Sequence, residues 1–246
     1  MNFEDIQING NEGSYSKYNF DIEYDIVKVT FNRKNKNDLA LLEEIYDKGI
    51  ELSNLVRANA ANEGNRVRDA RTLEINAISG VLAEYAWKEY INDRAGRNVV
   101  DFTEYTDPRE QIDLQITNTD IKIEVRSSFV RNGLQFALCN RTYRFDILGP
   151  YTNIYKPNET FKHFYLRVLY PYEPNTFNQN FKKDNVEVYL TCGATLEMMQ
   201  DDDIFEYKHL TPAESLINIQ SEYRVIPLEK SLDTQEIIDE ILNIEI

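Results

Sequence analysis

Residues 111–128, QIDLQITNTDIKIEVRSS, decide the fold of this chain. Apolar and polar residues alternate on both sides of a short polar segment, Asn118–Thr119. Alternation with a period of two predicts two half-buried strands joined by a tight turn. We therefore expect a β-hairpin whose apolar face consists of Ile112, Leu114, Ile116, Ile121, Ile123 and Val125.

The position of the turn determines which residues face each other across the hairpin. With Asn118–Thr119 as a two-residue turn, Asp113 lies opposite Glu124 and Gln115 lies opposite Lys122. Directly opposed residues have Cβ atoms roughly 4.5–5.5 Å apart. The predicted register thus brings two carboxylates together on the polar face of the hairpin.

A divalent cation fits between the carboxylates of Asp113 and Glu124, because two like charges repel at this separation. Hard oxygen ligands select Mg²⁺ or a similar ion such as Mn²⁺, and the carbonyl of Val125 is a third candidate ligand at the strand edge. The alternative is an ordinary amphipathic hairpin whose polar face is solvated.

Two basic residues, Lys122 and Arg126, flank Glu124 on the same face, each about 6.6 Å away along the strand. A metal ion polarises a phosphate oxygen and lowers the pKa of bound water, and an adjacent cation stabilises the charge that develops. This combination of residues predicts phosphodiester hydrolysis.

Glu84 lies in the helical segment AISGVLAE at residues 77–84. The residues that share its helix face are small or apolar, namely Val81, Gly80 and Ala77. A carboxylate on such a packed stripe is costly unless it has a partner, so we expect Glu84 to be partly buried beside a base or a metal-bound water. The alternative is a rim glutamate paired with Lys88 at i+4.

The remaining segments predict further strands and helices. Helical spacing covers residues 39–60, with Asp38 as N-cap and Gly49 inside, and residues 75–92. A C-terminal amphipathic helix is predicted after Asp233. Other strand-like segments are residues 22–31, 98–102, 135–140, 163–172, 185–192 and 223–228, with a short helix at 194–200.

This order of elements predicts an α/β fold with a mixed central sheet flanked by helices. We expect a single domain over residues 1–246, with a core at about 72–192, an N-terminal strand and helix extension and an acidic C-terminal helix. Two cysteines and two histidines are too few for a zinc cluster. The sequence shows neither a secretory signal nor an apolar run that could span a membrane, so we expect a cytoplasmic protein.

The net charge of −15 argues against loose, sequence-independent binding to nucleic acid. Residues 196–246 contribute −10 of this charge, whereas residues 122–146 hold five bases against two acids. A polyanion could bind that basic segment, and the alternative is that its arginines pair with acids elsewhere. We name six arginines as candidate phosphate contacts: Arg66, Arg68, Arg71, Arg131, Arg141 and Arg144. The first three lie in the predicted loop at residues 60–71, which is either a ligand-binding loop or a solvated connector.

Three segments together resemble the restriction-endonuclease-like PD-(D/E)xK nuclease superfamily: GVLAEYAWKEY with Glu84, PREQIDLQI with Asp113 and IKIEVRSS with Glu124. The resemblance implies a mixed sheet with flanking helices, Mg²⁺-dependent DNA cleavage and often a homodimer. By analogy Asp113 and Glu124 are metal ligands, and Glu84 is an accessory acid that orients a water.

Arg126 departs from the family pattern, which has lysine two residues after the glutamate. An arginine stays protonated and cannot act as a base, although its guanidinium can hold a phosphate. Lys122 on the same face is a candidate for the missing ammonium group. The first hypothesis is therefore a DNA endonuclease, and the second is a catalytically inactive relative that binds nucleic acid or a partner protein. A third, an acidic competitor of DNA for a basic partner, depends only on the C-terminal charge.

Overall fold

The computed structural model describes residues 1–9, 23–55, 69–103, 114–129, 147–152, 160–209 and 222–244 of the chain. Within these ranges the protein is a mixed α/β structure built on one large sheet, a second small sheet and helices. The predicted α/β class with a mixed central sheet and flanking helices is confirmed at this level.

The large sheet has seven strands in the described part of the chain, in the order β1-β2-β8-β7-β5-β4-β3. All neighbouring strands are antiparallel except β5 and β7, which run parallel. The strands are β1 (Asn2–Asn9), β2 (Glu23–Asn32), β3 (Val100–Phe102), β4 (Leu114–Ile116), β5 (Lys122–Phe129), β7 (Phe164–Tyr170) and β8 (Asn185–Thr195).

The small sheet is a feature that the sequence patterns did not separate from the large one. Its three antiparallel strands lie in the order β6-β10-β9. They are β6 (Ile147–Thr152), β9 (Glu206–His209) and β10 (Glu222–Ile226). Residues 223–228 had predicted a strand, but nothing in their pattern indicated a separate sheet.

Two long helices, α1 (Lys36–Leu55) and α2 (Ala70–Ala95), pack against each other. Gly49 of α1 allows this approach, because a Cβ there would lie 2.7 Å from the Cα of Ile78. Asp38 is not the predicted N-cap of α1, since the helix begins two residues earlier. Its buried side chain instead accepts a hydrogen bond from the amide of Asn32 at 2.8 Å and pairs with the amino group of Met1.

Helix α2 begins after Asp69, whose side chain caps the amide of Thr72, and ends at Gly96 in the left-handed conformation. The shorter helices are α3 (Phe177–Phe181), α4 (Leu196–Gln200) and α5 (Thr234–Leu242). The predicted cap of α5 is confirmed, because Asp233 and Glu236 form a capping box at its start.

The large sheet separates two hydrophobic clusters. On one face, α1, α2 and α5 pack on residues such as Val29, Ile123 and Val188. On the other face, β6, α4 and β10 cover residues such as Tyr165 and Leu169. Among the described helices, none is long and apolar enough to cross a membrane.

Candidate functional site

The β4–β5 hairpin has the register that the sequence predicted. Leu114 pairs with Ile123 and Gln115 pairs with Lys122. The connection takes four residues rather than the predicted two, because the amide of Ile116 donates to the carbonyl of Ile121 at 2.9 Å. Asn118 adopts a left-handed conformation with φ of 62° within this connection. The polar face of the hairpin is therefore the one carrying Gln115 and Lys122.

Backbone hydrogen bonds fix which way the carbonyl of Val125 points. In an antiparallel ladder, hydrogen-bonded and non-hydrogen-bonded pairs alternate. The bond between Ile116 and Ile121 makes Leu114 and Ile123 the next hydrogen-bonded pair, so the carbonyl of Val125 also faces the β4 side of β5. This orientation fits the predicted role of that carbonyl as a ligand at the strand edge.

Glu124 and Arg126 form an ion pair on one face of β5. The glutamate side chain is only 4% exposed and the arginine side chain 19% exposed. Alternation places both on the face opposite Ile123, which packs with the helices. Tyr165, at the same register as Glu124 on β7, lies in the cluster on that opposite face. We call this surface, with Lys122, Glu124, Arg126, Ser128 and Arg167, the β5–β7 charged face.

Arg167 is a member of this face that the sequence analysis missed. It lies beside Arg126 in the parallel register of β5 and β7, and it is buried, with 4% exposure. Its Nη2 donates to Oγ of Ser128 at 2.7 Å. The sequence signal was a single arginine in the apolar segment HFYLRVLY. Such a charge in a buried strand is costly and therefore informative.

Lys122 begins the same face at its exposed end. The backbone of Lys122 is held on the β7 side by His163, whose amide donates to its carbonyl at 2.9 Å. The amide of Lys122 in turn donates to Nδ1 of His163 at 3.1 Å. These two bonds fix the strand position from which Lys122 projects.

Glu84 is buried on α2, with 7% exposure, as predicted. Its helix packs against the face of β5 that carries Ile123, and Trp87 Nε1 of the same helix donates to the carbonyl of Arg167 at 3.1 Å. The ammonium group of Lys88, the alternative partner of Glu84, contacts Glu89 at 3.3 Å. The structure thus brings Glu124 and Arg126 together and places Glu84 on the helix that covers the other face of the sheet.

Several predicted site residues lie outside the described ranges: Asp113, Arg66, Arg68, Arg131, Arg141 and Arg144. Arg71 is described, and its predicted loop position is wrong: it lies in the first turn of α2. There its Nη2 donates to the carbonyl of Asn175 at 3.3 Å. No group of three or more His, Cys, Asp or Glu residues suited to a metal ion occurs among the residues that the structure describes.

Comparison with known proteins gives one informative match. An uncharacterized protein of Methanocaldococcus jannaschii, MJECS01, is 29% identical to this chain over 238 residues, with 80% of each chain covered. No family model matches the chain, and no solved structure matches it. The name of the relative states no activity, so the argument for function depends on the residues of the β5–β7 charged face.

Proposed function

We propose that this protein is a divalent-metal-dependent DNA endonuclease of the restriction type, with a restriction-endonuclease-like fold. The observation that carries the proposal is the β5–β7 charged face, on which a buried glutamate and two arginines lie together. Buried charges are costly unless they are paired or bind ions, which makes their concentration on adjacent strands a candidate active site.

The proposed metal ligands are Asp113, Glu124 and the carbonyl of Val125. Position 113 is the next residue of the observed β4 register, and it would face Glu124 in a non-hydrogen-bonded pair. Such pairs have Cα atoms about 4.5 Å apart and bring their side chains closest. The donors are hard oxygens that suit Mg²⁺ or Mn²⁺, so the residues fit the ion, with Asp113 the member still to be located.

The bound ion would polarise a phosphate oxygen and lower the pKa of a bound water. Arg126 would hold the scissile phosphate, because its guanidinium binds an oxyanion in a bidentate manner and stays charged. Lys122 is the other candidate for this contact, and Glu84 is proposed as an accessory acid.

Plasmid cleavage tests the proposal. The purified protein is incubated with supercoiled plasmid in the presence of Mg²⁺ or Mn²⁺, and nicked and linear products are measured. We expect cleavage that is lost in Asp113→Ala and Glu124→Gln. The matched control is Asp202→Asn, an exposed acid outside the proposed site, which should cleave normally.

A second function is favoured by the contact between Arg126 and Glu124 and by the net charge of −15. An arginine already paired with the glutamate suits a catalytically inactive member of the fold that binds nucleic acid or a partner protein. The same experiment separates the two functions. A metal-independent shift of DNA without cleavage, unaffected by Glu124→Gln, would replace the nuclease by the binding protein.

A further inference from the structure

The ion pair between Glu124 and Arg126 has a consequence for metal binding, which depends on the proposed function. We propose that Arg126 is a built-in competitor of the divalent ion: its guanidinium holds the carboxylate of Glu124 and must move away before the ion can bind with full affinity. The site would therefore be self-inhibited at low metal concentration.

The geometry favours competition because the two residues lie two positions apart on one strand and on one face. Their side chains are largely removed from solvent, at 4% and 19% exposure, so that water screens their attraction weakly. A guanidinium also matches the carboxylate better than a lysine ammonium does, since it presents a planar fork of donors.

Arg167 strengthens the effect from the neighbouring strand. Its guanidinium lies at the same register as Arg126 and is held by Ser128. Two positive charges beside Glu124 raise the electrostatic cost of adding a divalent cation. Arg126 cannot retreat toward β7 without approaching Arg167, so its displacement leads outward to solvent, where 19% of its side chain is already exposed.

The test is a calorimetric titration of the full-length protein with Mn²⁺, comparing the native chain with Arg126→Met. Methionine keeps an unbranched stem and removes the charge. We expect Mn²⁺ to bind at least about tenfold more tightly to Arg126→Met, which corresponds to about 1.4 kcal/mol. Adding Glu124→Gln should abolish this binding in both backgrounds.

The matched control is Arg224→Met. Arg224 is also partly buried, but it lies on β10 of the small sheet, where its Nη1 donates to the carbonyl of Met199 at 2.9 Å. Its replacement should leave Mn²⁺ affinity unchanged. A second readout is thermal unfolding, because a ligand that binds only the folded state stabilises it in proportion to its affinity. Mn²⁺ should raise the Tm of Arg126→Met more than that of the native chain.

Each outcome of the titration decides between the two proposals. Equal or weaker Mn²⁺ binding by Arg126→Met, still dependent on Glu124, would overturn the competition and leave the metal site standing. Absence of Glu124-dependent binding in both proteins would overturn the metal site and the competition together. If Arg126→Met does not fold, Arg126→Lys replaces it, since it keeps the charge on a flexible stem. The lysine variant should then bind Mn²⁺ more tightly than the native chain, and equal affinity would refute the competition.

Discussion

At the scale of single residues, Arg126 defines what the site can do. It occupies a position where the family that the sequence resembles ordinarily has lysine, and its contact is with Glu124. Because arginine stays protonated, any base must be another group, and Arg126 is left with anion binding and charge stabilisation. Lys122 lies at the exposed end of the same face, further from the buried charges.

Arg126 and Lys122 can be separated by their variants. At saturating Mg²⁺ we expect Arg126→Ala to slow plasmid cleavage by about 10²-fold or more, because a donor aimed at the developing charge is removed. Lys122→Ala should reduce the rate by less than about threefold. Single-turnover rates at several Mg²⁺ concentrations provide the measurement. The reverse order of sensitivity would identify Lys122 as the group that holds the phosphate.

Tyr85 gives the molecule a pH dependence. Its hydroxyl donates to Oε1 of Glu44 at 2.7 Å and accepts from Nζ of Lys48, and burial raises its pKa from 10.0 to about 12. In the unfolded chain tyrosine loses its proton near pH 10, while the folded protein keeps it to about pH 12. Stability is therefore fully present below pH 10 and falls as the pH rises through this interval.

Urea unfolding at pH 8, 10 and 11 tests this dependence. Tyr85→Phe should lower the free energy of unfolding at pH 8 by about 1 kcal/mol, through its lost hydrogen bonds, and should lose less stability above pH 10 than the native chain. The control is Tyr46→Phe at a partly exposed tyrosine, 42% accessible. An identical alkaline slope in Tyr85→Phe and the native chain would show that Tyr85 does not titrate in this range.

At the scale of elements, the contact between α1 and α2 depends on a glycine. Gly49 faces Ile78 so closely that an added Cβ would lie 2.7 Å from its Cα atom. Gly80 of α2 differs, because nothing lies within 4 Å of a Cβ added there. The two glycines occupy helix interiors but experience different surroundings.

This contrast predicts opposite effects of the same substitution. Gly80→Ala should stabilise the protein by up to about 1 kcal/mol, because alanine has the higher helix propensity. Gly49→Ala should destabilise it by about 1–3 kcal/mol, because the helices must separate. Thermal or urea unfolding of both variants provides the comparison. Stabilisation by Gly49→Ala would show that the helices are less tightly packed than described.

The elements also show what the sequence could predict. The hairpin register followed from alternation and a turn, and the cap at Asp233 from helix periodicity, because both are local patterns. Strand β1 pairs with β2 although its sequence, NFEDIQIN, has charged residues in the middle. Sequence alone did not assign it, because an edge strand needs fewer apolar residues than a central one.

At the scale of the whole molecule, the sheet brings together residues that sequence patterns cannot join. The adjacency of Arg126 and Arg167 requires the parallel pairing of β5 with β7, across 40 intervening residues. The separation of Glu84 from Glu124 by the sheet also follows only from the layer order. Nothing local in either segment predicts these relations, whereas each residue's own burial could be inferred from its neighbours.

The net charge of −15 makes DNA binding depend on a limited basic surface. We expect the slope of log affinity against log salt to fall by about 0.9 for each phosphate contact removed from duplex DNA. Replacing Arg66, Arg68 and Arg71 together with alanine should therefore reduce the slope. Arg97→Ala, at an exposed arginine after the end of α2, is the matched control. An unchanged slope in the triple variant would exclude that surface from DNA contact.

The central claim is that Asp113 and Glu124 hold one divalent ion on the β5–β7 charged face. The most direct measurement is a crystal structure of the protein soaked in Mn²⁺, with the ion located by its anomalous scattering. We expect an anomalous peak within about 2.3 Å of carboxylate oxygens of both residues, absent in Glu124→Gln. A fully occupied crystal form in which Glu124 remains bound to Arg126, with no peak beside it, would contradict the account.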